Sequence, residues 1–501
     1  MRVLIRADAS PTIGSGHIAR CLTLARVLRR QGVHVAFACR RLPGHRLHEL
    51  EAEGFETFAL PDLYAEEDPL QAIESLLPWQ ADIDALTLAL RDRPGFDWVI
   101  VDHYGLDHHW QTAARCFAPR IMAVDDLATR TYAVDLLLNQ NLSGTAAAYA
   151  GLLPARCRAL LGPHYALLRD EFQCRANTIA PKVRRVLVNF GGFDAAMQTH
   201  HAMHALADFH DIEVDFVSGA DNPAWGEMQV MAADRPNWRL HSFVNQFHRL
   251  MLEADLFIGA GGGTSWERAA IGLPTICIAV SNNQQANGEA MASLGAHIYL
   301  GAREQVSVEQ LRQAIGFVGD NLGLRISLAE RSRQLVDGLG AQRVAATLAG
   351  ALLQVRRATQ ADSRLLFDGR NAEAVRRVSL DTSMIDWNRH CQWLRASLVN
   401  TQRLLLIGET TDGPVGALRY DLQGTEVLVS IYLFENRMGK GWGRALLERG
   451  ELVAIAHWPE LRSFTAQVQP ENKASLSLFR RAGFIQSPCV FTRVLKDHPH
   501  E

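Results

Sequence analysis

Long apolar runs are missing from this sequence: no stretch approaches the ~18–20 uncharged residues that a helix needs to cross a bilayer, so a membrane-bound protein is not expected. Its beginning, Met1 to Asp8, sets only Val3, Leu4 and Ile5 in a row before Arg6. That falls short of the ~7–15-residue apolar core of a secretory signal, so the protein is expected in the cytoplasm. Patterned cysteine is missing too. Cys21, Cys39, Cys116, Cys157, Cys174, Cys277, Cys391 and Cys489 stand singly, with no CxxC pair. This argues against a disulfide framework, a redox motif or a zinc knuckle, and no metal is expected. Nor is there an excess of one charge: 51 Lys and Arg against 54 Asp and Glu leave a net charge of -3. The basic footprint that nucleic acid or an anionic membrane surface demands is absent, which leaves small ligands as the expected partners.

What is present is apolar material for several cores. At 501 residues and 48% hydrophobic the chain exceeds what one core organises, and three lobes are expected. In the first, residues 1–175, short apolar runs alternate with amphipathic segments: Val3 to Ile5, then a glycine turn, then Ile18, Leu22, Leu24, Ala25, Val27 and Leu28 at helical spacing. Val33 to Ala38, Trp98 to Asp102 and Ile121 to Val124 read as further strands, and the stretch from Leu136 to Arg175 reads as irregular. The second lobe, 176–355, restarts the pattern at Val186 to Phe190 and repeats it at Glu213 to Val217, Leu256 to Ile258 and Thr275 to Val280. Strand and helix alternating in this way predict parallel, doubly wound α/β sheets, with a ligand cleft between two such Rossmann-like lobes. The third region, 356–501, offers Leu404 to Glu409, Val415 to Asp421 and Glu426 to Leu433 as antiparallel strands, an α+β domain.

Three glycine-rich turns carry the chemistry. The first follows the first strand as Asp8-Ala9-Ser10-Pro11-Thr12-Ile13-Gly14-Ser15-Gly16-His17-Ile18-Ala19-Arg20. Gly14 and Gly16 allow close backbone approach and put His17 at a helix start facing the carboxyl edge of the sheet. Helix amides there favour a neutral, proton-accepting imidazole. The structural alternative is an ordinary turn with a histidine at a helix start. Asp102, Tyr104, Asp125 and Asp126 end predicted strands, where they either orient water and bind ligand hydroxyls or cap neighbouring helices. The second turn, Gly259-Ala260-Gly261-Gly262-Gly263-Thr264-Ser265-Trp266-Glu267-Arg268, offers amides and the hydroxyls of Thr264 and Ser265 to a pyrophosphate. Glu267, one turn into the helix, either accepts hydrogen bonds from ribose hydroxyls or pairs with Arg268. Gly219-Ala220 could shape a uracil pocket.

The first run resembles the IGSGHxxR signature of the UDP-sugar hydrolases of pseudaminic acid biosynthesis. The resemblance continues through Val101-Asp102-His103-Tyr104, Val124-Asp125-Asp126, Asn139-Gln140-Asn141, Leu161-Gly162-Pro163-Tyr165 and Asn189-Phe190-Gly191-Gly192-Phe193-Asp194. It implies that His17 is a general base activating water at the anomeric carbon, with Gly14, Ser15, Gly16, Arg20, Asp102, Tyr104, Asp125 and Asp126 around the substrate. The second turn with Gly272-Leu273-Pro274 resembles the donor lobe of GT-B glycosyltransferases, which implies a GT-B arrangement of the two lobes. It also implies that Gly262, Gly263, Thr264, Ser265, Glu267, Asn283, Gln284 and Asn287 contact nucleotide or sugar.

The third turn, Arg437-Met438-Gly439-Lys440-Gly441-Trp442-Gly443, follows the strand Val429 to Leu433. Gly439, Gly441 and Gly443 let successive amides face a pyrophosphate, while Arg437 and Lys440 add charge. With Asn472-Lys473-Ala474-Ser475 and the closing Gly483-Phe484, it resembles the GNAT acetyltransferases, as do Arg370-Asn371 and His390-Cys391-Gln392-Trp393. The resemblance implies acetyl-CoA as cosubstrate, held by the Arg437 to Gly443 turn, Asn472 and Ser475. Phe479 departs from the family, standing where many relatives have a thiolate-protonating tyrosine. Together the resemblances imply an enzyme that N-acetylates a UDP-4-amino sugar. It then hydrolyses the product, UDP-2,4-diacetamido-2,4,6-trideoxy-β-L-altropyranose. A GT-B glycosyltransferase, or a UDP-sugar-binding regulator with a CoA-sensing tail, are the other readings.

Overall fold

The computed structural model describes residues 1–10, 13–62, 77–173, 177–192, 194–487 and 490–494. Pro11, Thr12 and Phe193 of the motifs above, Cys174, Cys489 and the expected boundary between the first two lobes lie outside the described residues. Two compact units form, one of Arg2–Val344 and one of Met1 with Ala345–Glu501.

The larger unit holds two parallel sheets. The first comprises β1 (Arg2–Ala7), β2 (His34–Arg40), β3 (Glu56–Leu60), β4 (Trp98–Asp102), β5 (Arg120–Val124), β6 (Leu136–Asn139) and β7 (Arg158–Leu161), in the order β3-β2-β1-β4-β5-β6-β7. The second comprises β8 (Arg185–Asn189), β9 (Glu213–Val217), β10 (Trp238–His241), β11 (Leu256–Ala260), β12 (Thr275–Ala279) and β13 (Ile298–Ala302), ordered β10-β9-β8-β11-β12-β13. Val3, Leu4 and Ile5, like Val186, Leu187 and Val188, are buried throughout rather than alternately, the signature of strands covered by helices on both faces. Strand order reverses between β1 and β4 in one sheet and between β8 and β11 in the other. Crevices for ligands open at the carboxyl ends of strands at such points, and both glycine turns of this unit lie there. The stretch read as irregular contributes β6 and β7. Each is only four residues long, too short to show a period.

The smaller unit carries one mixed sheet: β14 (Gln354–Arg357), β15 (Arg403–Thr410), β16 (Gly413–Gln423), β17 (Glu426–Leu433), β18 (Ser463–Gln467), β19 (Ile485–Ser487) and β20 (Val490–Val494). Its order is β14-β15-β16-β17-β18-β20-β19, antiparallel except for the parallel pair β17 and β18. The helix Trp442–His457 packs Leu446, Leu447 and Ala454 into the core with Leu353, Leu418 and Phe464. The expected boundary at residues 355/356 falls inside β14. The units divide earlier, within the helix Gly340–Leu352. Among the described residues, no helix is long and apolar enough to cross a membrane.

Candidate active sites

Register places the first site. Ala7, at the end of β1, pairs with Asp102, the last residue of β4, so the turn after β1 and the carboxylate of Asp102 share one crevice. Gly14 takes a positive φ of 79° and donates its N–H to Ser10 at 2.7 Å, closing the turn; side-chain-bearing residues rarely adopt that conformation. The helix Gly16–Arg30 starts immediately afterwards, with Ser15 at its N-cap.

His17, nearly buried, sets Nδ1 2.6 Å from Asp102 Oδ1. Arg20, one turn on, grips the same carboxylate with Nε on Oδ2 and Nη2 on Oδ1, both at 2.6 Å. Burial raises the pKa of Asp102, but the charges of Arg20 and His17 outweigh it and hold the carboxyl well below its usual range. An ionised carboxylate has no proton to give, so a neutral His17 in this contact carries its proton on Nδ1 and has Nε2 as its accepting nitrogen. Asp102, anticipated as a possible substrate contact, therefore orients the imidazole while Arg20 balances its charge.

The His17 and Tyr104 rings form a T-shaped pair, with centroids 4.9 Å apart and planes at 82°. Tyr104 donates its hydroxyl to Asp126 Oδ1 at 2.6 Å, and burial together with Asp126 raises its pKa, keeping it a phenol. Asp125 turns away: its Oδ1 accepts Leu127 N–H at 2.9 Å and the Tyr132 hydroxyl at 2.7 Å, which braces its own loop. Further along, Asp107, His108 and His109 bring donor atoms within 4.8 Å of one another, although Asp107 also caps its helix through the His109 and Trp110 amides.

In the second glycine turn, Gly263 is the N-cap of the helix Thr264–Ile271. Arg268, at the far side of this helix, is buried against Ala260 O and Ser265 Oγ and over the Phe257 ring; burial pulls its pKa down to about 10. It does not pair with Glu267. That carboxylate instead accepts Arg169, and burial raises its pKa against the pull of Arg169. Gln284 spends Oε1 on the Gly261 and Val280 amides at 3.1 and 3.2 Å, and Asn283 accepts the Ser281 hydroxyl. Gln284 is thus the brace of the glycine turn. Asn287 is buried and accepts the Leu142 N–H at 3.0 Å.

In the smaller unit, pairing between β17 and β18 stops at Leu428 with Thr465 although both strands continue, so a gap opens between them. Gly439 and Gly441 have φ of 74° and 80° in the turn leading to the helix Trp442–His457. A Cβ on Gly441 would come within 2.7 Å of Ala346 Cβ. Arg437 donates to the carbonyls of Pro414 and Asp412, tying the turn to the β15–β16 hairpin. Lys440 stands half-buried in the turn and Gly443 packs against Leu478. Asn472 caps the helix Lys473–Arg481 through the Ser475 amide, and a groove of ≈ 430 Å³ along that helix is lined by Lys473, Leu476, Ser477, Arg480 and Arg481. Phe479 is buried edge-on to Phe484. Asn371 braces the Ile385 backbone, and His390 Nε2 lies 2.9 Å from Ser363 O, so both serve the packing of this unit.

Residues 190–322 match the glycosyltransferase family 28 C-terminal domain, and residues 372–484 the acetyltransferase (GNAT) family. The chain is 26% identical over 299 residues to the UDP-2,4-diacetamido-2,4,6-trideoxy-beta-L-altropyranose hydrolase of Campylobacter jejuni, covering 60% of this chain and 98% of that protein. It is a fusion of a GT-B-like half, homologous to that hydrolase, with a GNAT-family half. Both comparisons place it among enzymes. The spore coat polysaccharide biosynthesis protein SpsG of Bacillus subtilis is 31% identical over 192 residues, which span 37% of this chain and 57% of SpsG. The crystal structure of Acinetobacter baumannii MurG aligns with 68% of this chain and 97% of its own at a TM-score of 0.50 and 16% identity, a likeness of fold.

In the hydrolase-like half, Asp8 and His103 lie within the sequence motifs without an expected role, and Asp82 lies outside every motif. Asp8 accepts Arg6 Nη1 at 2.6 Å and the Arg40 amide at 2.7 Å, and lies 3.4 Å from His103 Nε2. Asp82 accepts Arg6, Arg40 and the Trp110 indole. The readable signal was Arg6, a guanidinium inside an apolar strand, which needs buried carboxylates to hold it. Arg169 and Trp266 carried no comparable signal, since their partners are distant in sequence.

Proposed function

We propose that the hydrolase-like half cleaves UDP-2,4-diacetamido-2,4,6-trideoxy-β-L-altropyranose to UDP and the free sugar, and that the GNAT half makes this substrate by acetylating the preceding UDP-4-amino sugar from acetyl-CoA. The observation that carries the reading is the contact of His17 with Asp102 at the first switch point, in a unit whose second switch point carries the glycine turn before Thr264.

With Nδ1 occupied by Asp102, Nε2 takes a proton from water. The water oxygen attacks the anomeric carbon with inversion, the bond to the diphosphate oxygen breaks, and UDP leaves with the electron pair. Amides of Gly262 and Gly263 and the hydroxyls of Thr264 and Ser265 would receive the diphosphate charge. Glu267 would exchange Arg169 for ribose hydroxyls. In the GNAT half, the sugar amine attacks the thioester carbonyl in the gap between β17 and β18, and CoA leaves as thiolate. The nitrogen sheds a proton as the C–S bond breaks, and since Phe479 cannot carry one, water or Ser475 would relay that proton to the thiolate. The amides around Gly439, Gly441 and Gly443, with Lys440, would hold the CoA pyrophosphate. On this reading the two steps are consecutive reactions of pseudaminic acid biosynthesis, carried out in the cytoplasm.

The MurG-like fold keeps glycosyl transfer to an acceptor as the second reading. Incubating the full chain with the diacetamido UDP-sugar and no acceptor separates them: hydrolysis releases UDP and free sugar, and a transferase leaves the substrate intact.

A further inference from the structure

Four side chains of the larger unit form one hydrogen-bonded chain from the His17 site to the helix of the second glycine turn. Trp266 Nε1 donates to Asn141 Oδ1 at 3.1 Å, and Asn141 Nδ2 donates to Asp126 Oδ2 at 2.8 Å. The Tyr104 hydroxyl donates to Asp126 Oδ1 at 2.6 Å, and the Tyr104 and His17 rings form the T-shaped pair. Each joint has one polarity. An indole N–H only donates and a carboxylate only accepts, so the Asn141 amide can face only one way. Asp126, with one oxygen committed to each neighbour, cannot turn without releasing Tyr104 or Asn141.

The far end of the chain is fixed where a diphosphate would bind. Trp266 is fully buried in the helix Thr264–Ile271, two residues into the turn that carries Thr264, Ser265 and Glu267. The next residue after Asn141 is held as well: Leu142 donates its N–H to Asn287 of the helix Asn282–Ser293. Two helices of the second lobe therefore grip one short segment of the first. Through the Trp266 indole, a shift of the helix Thr264–Ile271 would be passed to Asn141.

We propose that this chain positions the general base. Seating a nucleoside diphosphate on the second glycine turn sets, through Trp266, Asn141 and Asp126, the Tyr104 ring against which His17 rests, so the base aligns once the leaving group is in place. Trp266, Asn141 and Asp126 are positioning residues in this scheme, and the inference rests on the hydrolase reading above.

The test uses the full chain with the diacetamido UDP-sugar, reading kcat and KM for UDP release and UDP affinity by calorimetry. Trp266→Phe deletes the indole N–H together with part of the buried ring. It is expected to lower kcat roughly 2–30-fold, the range of coupling through such networks, with KM and UDP affinity within about twofold. Because one chain acts as a unit, Trp266→Phe combined with Tyr104→Phe should lose no more than Tyr104→Phe alone. Unchanged kcat in Trp266→Phe, or losses that multiply in the double variant, overturns the inference while leaving the hydrolase reading standing. A wild-type chain that releases no UDP overturns that reading first. If Trp266→Phe does not fold, Asn141→Ala, in the loop after β6, carries the same comparison.

Discussion

Arg169 and Glu267 meet inside the hydrolase-like half, with Nε at 3.3 Å and Nη2 at 3.0 Å from the single oxygen Oε1. The pair sits one turn inside the helix that follows the second glycine turn. Expected from sequence to grip a ribose or to pair with its neighbour Arg268, Glu267 is instead held by a residue 98 positions away.

This relationship sharpens the test of nucleotide binding. Glu267→Ala is expected to weaken UDP binding by about 1.5–3 kcal/mol, the worth of hydrogen bonds to a charged group, and to act mainly on KM. Arg169→Met removes the partner and keeps the carboxylate. If Glu267 serves the ribose, calorimetry shows UDP affinity falling far more in Glu267→Ala than in Arg169→Met. Equal losses assign the carboxylate to the contact with Arg169 alone.

The buried cluster around Asp82 predicts a stability effect with a defined pH dependence. Burial raises the Asp82 pKa, but Arg6 and Arg40 outweigh it and hold the carboxyl below its ordinary range. A carboxyl depressed in the folded state stabilises the fold fully above its unfolded pKa of about 3.9, and that contribution is lost as pH falls through the folded value. Asp82→Ala leaves Arg6, Arg40 and the Trp110 indole short of an acceptor, at a cost of about 3–5 kcal/mol near pH 7. Denaturant unfolding should show this gap, narrowing as pH drops from about 5 toward 2. A gap that is constant with pH would contradict the account.

In the GNAT half, Gly441→Asp introduces a side chain where φ is 80° and Ala346 stands 2.7 Å from the new Cβ. It also adds a negative charge at the proposed pyrophosphate seat. Acetyl transfer should be abolished, with hydrolysis of pre-acetylated substrate unchanged. Loss of both activities from this one substitution would point to a shared site.

Much of this architecture was legible because apolar runs and glycine turns are local signals. Val3 to Ile5 before Gly14, and Leu256 to Ile258 before Gly262, announce strand, turn and helix within a few residues. The place of His17 at a helix start was legible for the same reason. Its partner was not assigned: Asp102 lies 85 positions away, and only the pairing of β1 with β4 brings the two together. Gln284 and Asn287 are expected as ligand contacts only through the resemblance to the GT-B donor lobe. Nothing local reveals that their oxygens are spent on the backbone amides of Gly261 and Leu142. β6 and β7 escaped because a four-residue strand has too few positions to display a period.

The central claim, that His17 activates water for cleavage of a UDP-sugar, is tested most directly by UDP release without acceptor from the full chain and from His17→Ala. The wild-type chain should yield one UDP and one free sugar per substrate. His17→Ala should lose about 10²–10⁴ in rate, the usual cost of deleting a general base, while still acetylating the 4-amino sugar nucleotide. Near-wild-type UDP release by His17→Ala would contradict the account.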